Sequence, residues 1–198
     1  MLMNRMPHNA GHGQYGMSLI EVLVSMLILL IALLGLAGLQ VAAQQSELES
    51  YQRAQALILV QDMVSRIDAN RKVALCYAVT TDVAGGAPYF GTNSAIGTPT
   101  CAVGTAEQKA IAVWDMQNWH ELLLGAAEIT AGTATGAMIG ARGCVSYDAA
   151  TDLYTVAVAW QGLNKTFAPV GQNCGKGQYG DESQRRVVSL SVRLANLL

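Results

Sequence analysis

The most apolar stretch of the chain lies close to its N-terminus. No side chain is charged between residues 22 and 39. At about 1.5 Å per residue, a helix of that length nearly spans the hydrocarbon core of a bilayer. A soluble core helix needs a polar face, which this stretch does not have. The pattern therefore predicts a membrane-spanning helix.

A helical pattern continues beyond this apolar stretch. Residues 40–72 contain neither proline nor glycine. The apolar residues that recur there at helical spacing are Tyr51, Ala54, Leu57, Val64 and Ile67. Opposite charges stand four residues apart in the pairs Glu49–Arg53, Asp62–Arg66 and Asp68–Lys72. We predict one helix from residue 17 to about residue 72, whose second half packs an apolar stripe on a globular head.

The C-terminal third alternates with the period of two that is typical of strands. Residues 144–148 predict a short strand. The apolar faces of the two strands that follow are Tyr154, Val156, Val158 and Trp160, then Val188, Leu190, Val192 and Leu194. The pattern predicts an antiparallel sheet with one face on the N-terminal helix.

The middle of the chain is less regular. Residues 83–101 ("VAGGAPYFGTNSAIGTPTC") are typical of an irregular loop held near both ends by cysteines. Residues 106–128 predict a helix whose core side chains are Val113, Trp114, Met116, Leu123 and Leu124.

The chain has 198 residues, a formal net charge of −2 and four cysteines. The charge argues against a general affinity for nucleic acid or anionic lipid. All four cysteines follow the apolar stretch, and their even number indicates two disulfides in an oxidising compartment. His120-Glu121 lacks the second histidine of a zinc protease helix, because Leu124 stands in its place. We therefore expect no catalysis, no cofactor and no metal site.

One carboxylate, Glu21, stands at the edge of the apolar stretch. A charge at the bilayer centre costs on the order of 2.5–3.5 kcal/mol on insertion scales. Residues 41–43, "VAA", resemble the cleavage site of a secretory signal. However, the apolar region of a secretory signal is usually shorter than this one and contains no glutamate at its edge. A plain membrane anchor explains the length of the stretch but not the glutamate.

The residues 16–21, Gly-Met-Ser-Leu-Ile-Glu, resemble the leader junction of type IV prepilins and type II secretion pseudopilins. The resemblance implies cleavage after Gly16 by a membrane prepilin peptidase and N-methylation of Met17. It also implies that Glu21 meets the α-amine of a neighbouring subunit, so that the pair sets the axial register. Two features depart from the family pattern: Met17 replaces the commoner phenylalanine, and residues 11–15 contain no lysine or arginine.

The resemblance also implies an organisation for the whole chain. Residues 1–16 would be the cleaved leader, residues 17–72 the membrane anchor and filament core, and residues 73–198 a periplasmic head with two disulfides. The fold would be the α+β fold of type IV pilins, in which a long N-terminal helix packs on an antiparallel sheet. Of the three possible connectivities we favour Cys76–Cys101 and Cys144–Cys174. The first would tie the loop to the helix end, and the second would fasten a polar loop beside the hairpin.

The function that this resemblance implies is structural. The size and the C-terminal strands are most like those of the PilV family, minor pilins of type IVa pili that prime assembly in a tip complex for twitching motility and attachment. The implied partners are other minor pilins, the major pilin, the prepilin peptidase, the inner-membrane assembly machinery and a tip adhesin. The location would be the inner membrane and the pilus tip. The alternatives are a minor pseudopilin of type II secretion and a membrane-tethered adhesive or ligand-binding domain.

Processing can be tested directly. We expect the mature protein to begin with methylated Met17, and Gly16→Val to leave an uncleaved form because a β-branched side chain crowds the peptidase subsite. Mass spectrometry of the membrane-extracted protein measures both. An N-terminus at Met1 or near Gln44 would contradict the prepilin interpretation.

Overall fold

The structure, a computed structural model, describes residues 16, 18–126, 129–130, 133–134 and 138–195. Within them it contains the helices α1 (Leu19–Ala69) and α2 (Ala106–Leu123) and the short 3-10 segments Arg71–Tyr77 and Glu182–Gln184. The strands are β1 (Phe90–Gly91), β2 (Ile129–Thr130), β3 (Thr133–Ala134), β4 (Arg142–Asp148), β5 (Leu153–Gln161) and β6 (Arg185–Val192). The predicted leader before Gly16, and Met17, lie outside the described residues.

The chain divides into two compact units, with the boundary between Gln44 and Gln45. In the first unit, residues 19–44 form the N-terminal part of α1, and all of their side chains are exposed. By length and composition α1 is able to cross a membrane. This is the arrangement that a helix without a polar face requires, since its apolar side chains need lipid or another apolar surface around them.

The second unit is built on a four-stranded antiparallel sheet with the order β1-β4-β5-β6. The hairpin of β4 and β5 pairs from Arg142 with Ala159 to Asp148 with Leu153. The β5–β6 pairing runs from Tyr154 with Val192 to Gln161 with Arg185. The long helix and antiparallel sheet confirm the pilin-like α+β fold. Strand β1 was not predicted, because two residues are too few to show an alternating pattern.

One face of the sheet forms the main core together with α2 and residues 45–69 of α1. The apolar residues that α1 buries there are Ala56, Leu59, Val60, Met63 and Ile67. Trp119 of α2 lies at the centre, and its indole N–H donates to the carbonyl of Leu59 at 2.9 Å. Gly143 of β4 lies against the Trp119 ring so closely that a Cβ there would overlap it. The three layers therefore meet at the tryptophan.

The apolar stripe predicted for α1 was partly wrong. Ile67 is buried, but Tyr51, Ala54 and Leu57 face solvent, and the buried face follows Gln52 and Ala56 instead. Residues 48–60 are apolar on more than one side of the helix, so helical spacing alone does not choose the face that packs. Contacts with the sheet and with Trp119 make that choice.

Two of the three predicted ion pairs on α1 were also wrong. Asp62 and Arg66 pair as expected, at 2.8 Å. Asp68 pairs with Arg71 instead of Lys72, because α1 ends at Ala69 and residue 72 is no longer one helical turn away. Glu49 reaches Arg186 at the start of β6 instead of Arg53.

Helix α2 begins where predicted and ends earlier. The Thr105 hydroxyl accepts the N–H of Gln108, whose side chain accepts the N–H of Thr105 in return, so a capping box starts the helix. The helix ends at Leu123, and residues 127–128 of the predicted span lie outside the described residues. The prediction placed Trp114 in the core, but it is 61% exposed and Trp119 is buried instead.

Trp114 has a different role at the surface of α2. The guanidinium of Arg66 lies 5.6 Å from the centre of its ring. This contact covers one face of the indole and stabilises the charge. Met116 and Leu123 are buried as predicted, whereas Leu124 is exposed.

A buried polar network joins the C-terminal end of α1 to α2 and to the 3-10 segment Arg71–Tyr77. Asp115 accepts from the guanidinium of Arg66 at 3.1 Å and from the Tyr77 hydroxyl at 2.6 Å. Asn70 donates to the Gln108 carbonyl at 2.9 Å. Burial, reinforced by the bond to Asp115, raises the pKa of Tyr77 well above its usual value. The network fixes where α1 ends.

Removing Asp115 should therefore destabilise the head strongly. We expect Asp115→Ala to lower the free energy of unfolding by about 3–5 kcal/mol, because it leaves the Arg66 charge buried without one of its two carboxylates. Urea unfolding of the purified chain, followed by tryptophan fluorescence, measures the change. Asp68→Ala is the matched control: its pair with Arg71 is exposed, and the expected loss is below about 1 kcal/mol. Equal losses in the two variants would contradict the role of the network.

Candidate processing and assembly site

The candidate site lies where the chain enters α1. Gly16 and Ser18 are exposed, and the Ser18 carbonyl accepts the backbone N–H groups of Glu21 at 2.9 Å and Val22 at 3.3 Å. These bonds place Ser18 at the N-terminal cap and Glu21 in the first helical turn. Among the described residues, no atom lies within 4 Å of where a Cβ on Gly16 would stand.

The Glu21 side chain is exposed, and it precedes the uncharged residues 22–39 of α1. The backbone carbonyl of Glu21 accepts a hydrogen bond from the Ser25 hydroxyl at 2.7 Å. Among the residues that the structure describes, none forms a hydrogen bond or an ion pair with the carboxylate itself. The first turn of a helix favours a negative charge, because the N–H groups there are unpaired. Among the described residues, the Glu21 carboxylate is therefore left open to a cation. Met17, the residue predicted to be N-methylated, lies outside the described residues.

The N-terminal sequence matches the family model described as the prokaryotic N-terminal methylation motif, over residues 11–37. The chain is pilin-like. This motif is typical of type IV pilins and pseudopilins, and it implies processing by a prepilin peptidase and assembly with pilin machinery. The matched residues include Gly16, Met17 and Glu21, the three that the sequence analysis singled out.

The motif and the fold agree with each other. The apolar helix with its methylation motif suggests an inner-membrane anchor with a periplasmic head. Pilin-like proteins are typically structural rather than enzymatic. Comparisons with curated proteins and with solved structures gave no significant match.

The structure brings the four cysteines together in the two favoured pairs. The disulfide Cys76–Cys101 joins the 3-10 segment after α1 to the residues before α2, with 5.1 Å between the Cα atoms. The disulfide Cys144–Cys174 joins β4 to the loop between β5 and β6, with 5.7 Å between the Cα atoms. Each bond closes a loop of the pilin-like head, which by the chain-entropy model adds roughly 3–4 kcal/mol of stability.

Two buried arginines hold the loop that carries Cys174. Arg142 lies between aromatic rings, with its guanidinium carbon 4.7 Å from the centre of Tyr179 and 5.4 Å from that of Tyr89. Arg185 donates to the Cys174 carbonyl at 3.3 Å and to the Glu182 carboxylate at 2.6 Å. Burial is also the main reason that the pKa of Tyr179 is raised to about 12.

Sequence reasoning missed these arginines, although a signal was present. Arg142 stands two residues before Cys144, and Arg185 stands two residues before Val187. The period of two places them on the same sheet face as the buried Cys144 and the partly buried Val187, opposite the main core. The loop covers this second face, so the central strands are buried on both sides.

The remaining chemical candidates have structural roles. Nδ1 of His120 accepts the N–H of Gly91 at 3.0 Å, and the ring packs edge-on against Phe90. In the described part of the chain, no three His, Cys, Asp or Glu side chains converge as metal ligands would. His120 thus helps to seat β1 on α2.

The disulfide pairing makes a distinct prediction for a non-reducing tryptic map. Cys76 and Cys101 lie in one tryptic peptide, residues 73–109, whereas Cys144 and Cys174 lie in the adjacent peptides 143–165 and 166–176. We expect the last two peptides to be linked and peptide 73–109 to be linked to neither. The same digest after reduction is the control. A link from peptide 73–109 to either of the others would overturn the pairing.

Proposed function

We propose that this pilin-like chain is a minor pilin of a type IVa pilus, most like the PilV family, which helps to prime assembly as part of a tip complex. The observation that carries the proposal is the Glu21 carboxylate, which has no partner among the described residues. It lies in the first turn of α1, at the start of an apolar stretch and within a methylation motif. Attachment and twitching motility would depend on the filament that the chain helps to start.

The proposed chemistry is the formation of a charge pair. A carboxylate and an α-amine are each costly in an apolar surrounding, and they offset one another only when they meet. Glu21 would accept from the methylated α-amine at Met17 of a neighbouring subunit. Because the pair forms at one axial position only, it selects the register in which two helices pack.

The rest of the interface would be apolar. The side chains of residues 22–39 are exposed on α1 and carry no charge, so contacts between helices replace contacts with lipid. Such packing gains from small residues that let backbones approach closely. Gly35 and Gly38 have open space where a side chain would stand. They suit close packing of this kind, or local unwinding of the helix.

The proposed organisation follows from the same motif. The leader, residues 1–16, would be removed by the prepilin peptidase, and residues 17–72 would anchor the chain and enter the filament core. Residues 73–198 would face the periplasm, where an oxidising environment supports both disulfides. The proposed partners are other minor pilins, the major pilin, the inner-membrane machinery and a tip adhesin.

A minor pseudopilin of type II secretion is the second candidate, because the methylation motif is common to both classes. Deletion of the gene distinguishes them: loss of pili supports the minor pilin, and loss of enzyme secretion supports the pseudopilin. A membrane-tethered adhesive domain would keep the anchor but would have no need of Glu21.

The charge pair is tested by Glu21→Ala. We expect this variant to insert and to be cleaved normally, since loss of a charge favours burial in lipid. It should be absent from sheared filaments, because the neighbour's amine loses its partner. Glu21→Asp, one methylene shorter, should fall between the two. Quantitative immunoblots of inner membrane and sheared filaments measure the distribution.

Glu47→Ala is the control, because it removes an exposed carboxylate from the same helix outside the motif. It should assemble like the wild type. Normal piliation by Glu21→Ala, with the variant recovered in the sheared fraction, would show that Glu21 is not an assembly group.

A further inference from the structure

A short apolar tip stands out on the loop between β5 and β6. It consists of residues 167–171, Phe-Ala-Pro-Val-Gly. Phe167 is 96% exposed and Val170 is 95% exposed. No other large apolar side chain in the described part of the chain is as exposed, including those of the apolar half of α1. The head therefore presents two bare apolar side chains at one place.

The chain on either side of the tip is firmly held. Thr166 donates its backbone N–H to the Ser183 carbonyl at 2.8 Å. After the tip, the Gln172 carbonyl accepts from the buried Arg185 at 2.5 Å. One end is thus fixed to the 3-10 segment Glu182–Gln184 and the other to Arg185 of β6, which lowers the conformational entropy that the tip loses when it binds.

The charges beside the tip favour a protein over a lipid surface. Lys165, the nearest cation in sequence, forms an ion pair with Asp181 at 2.9 Å. Arg186 donates to the Asn164 carbonyl at 2.6 Å. Loops that dock on anionic membranes use unpaired basic residues beside the apolar ones. Here the two cations at the base of the loop are already engaged, which suits an uncharged apolar recess. Lys176, an exposed cation of the same loop, stands five residues beyond the tip.

The size of the tip limits which partner it can hold. Burying Phe167 and Val170 removes at most a few hundred Å² from water, whereas a stable independent interface buries about 1,200 Å² or more. The tip is too small to recruit a free protein. It suits a partner that another contact already holds nearby, for which the effective concentration is high.

Asn164, at the base of the loop, also contacts α1, the helix that would hold such a partner. The Glu49 carboxylate of α1 accepts the backbone N–H of Asn164 at 3.3 Å and lies 3.5 Å from Arg186. Within the head, the loop therefore contacts α1 at residue 49, and the N-terminal part of this same helix would make the proposed filament contacts.

We propose that the tip docks into an apolar, uncharged recess on the head of the adjacent subunit in the filament. This inference rests on the proposed function, since the α1 contacts bring that neighbour within reach. The tip and its recess are different surfaces, so the contact is head-to-tail and does not close into a symmetric dimer. Such a contact fits a helical assembly.

Site-specific photocrosslinking tests the inference. The full chain would carry p-benzoylphenylalanine at position 167, with Leu75, a 57% exposed residue elsewhere on the head, as the control position. We expect a crosslink from position 167 to a subunit with its own methylation motif, on the order of tenfold stronger than from position 75. Glu21→Ala should abolish it. A crosslink to lipid, or to a protein that is not pilin-like, would overturn the inference.

A second variant keeps the test independent of the crosslinker. Phe167→Ser should leave the urea midpoint of unfolding unchanged, because the side chain has no packing to lose, and should lower recovery in sheared filaments by on the order of tenfold. Leu75→Ser should be recovered normally. Normal recovery of Phe167→Ser overturns this inference alone. Absence of the wild-type protein from sheared filaments overturns the proposed function, and the inference with it.

Discussion

The contact between α1 and Trp119 is the interaction on which the head depends. The indole of Trp119 binds the Leu59 carbonyl, packs against Gly143 of β4 and lies edge-on to Phe90 of β1. A single side chain thus touches the long helix, the central sheet and the edge strand. The buried Asp115 network, four residues before it on α2, locks the same helices together with charges. Apolar packing thus joins the three layers, and the polar network joins the C-terminal end of α1 to α2.

Each end of α1 carries a charged side chain, but the two ends of the helix differ in whether that charge has a partner among the described residues. Near its C-terminal end, Arg66 is largely buried and has its carboxylate partners within the chain. At its N-terminal end, the Glu21 carboxylate stands on an apolar surface and has no partner among the residues described. A buried charge is tolerated only when it is paired. The first arrangement stabilises the head, and the second is the one that the proposed pairing with a neighbouring subunit would complete.

Much of the fold could be predicted because its signals are local. The charge-free stretch identified the first part of α1, and the alternation in residues 154–160 identified β5 and its buried face. The buried face of α1 could not be read in the same way, since Tyr51, Leu57 and Leu59 are all apolar and only tertiary contacts decide between them. For the same reason Trp114 was wrongly placed in the core, where the structure has Trp119. At the candidate site, the hexapeptide identified Gly16, Met17 and Glu21, whereas the exposed tip at Phe167 has no periodic pattern and is recognised only from its environment.

The close approach of Gly143 to Trp119 has a consequence for how this head can diversify. Any side chain at position 143 would collide with the indole, so that position and its surroundings can change only together. The tip at residues 167–171 has no such packing constraint, because its two large side chains are almost fully exposed. Mutations would accumulate there without loss of folding, and selection on them would come from other molecules. The residues around Trp119 therefore tolerate few substitutions, whereas the exposed residues 167–171 tolerate many.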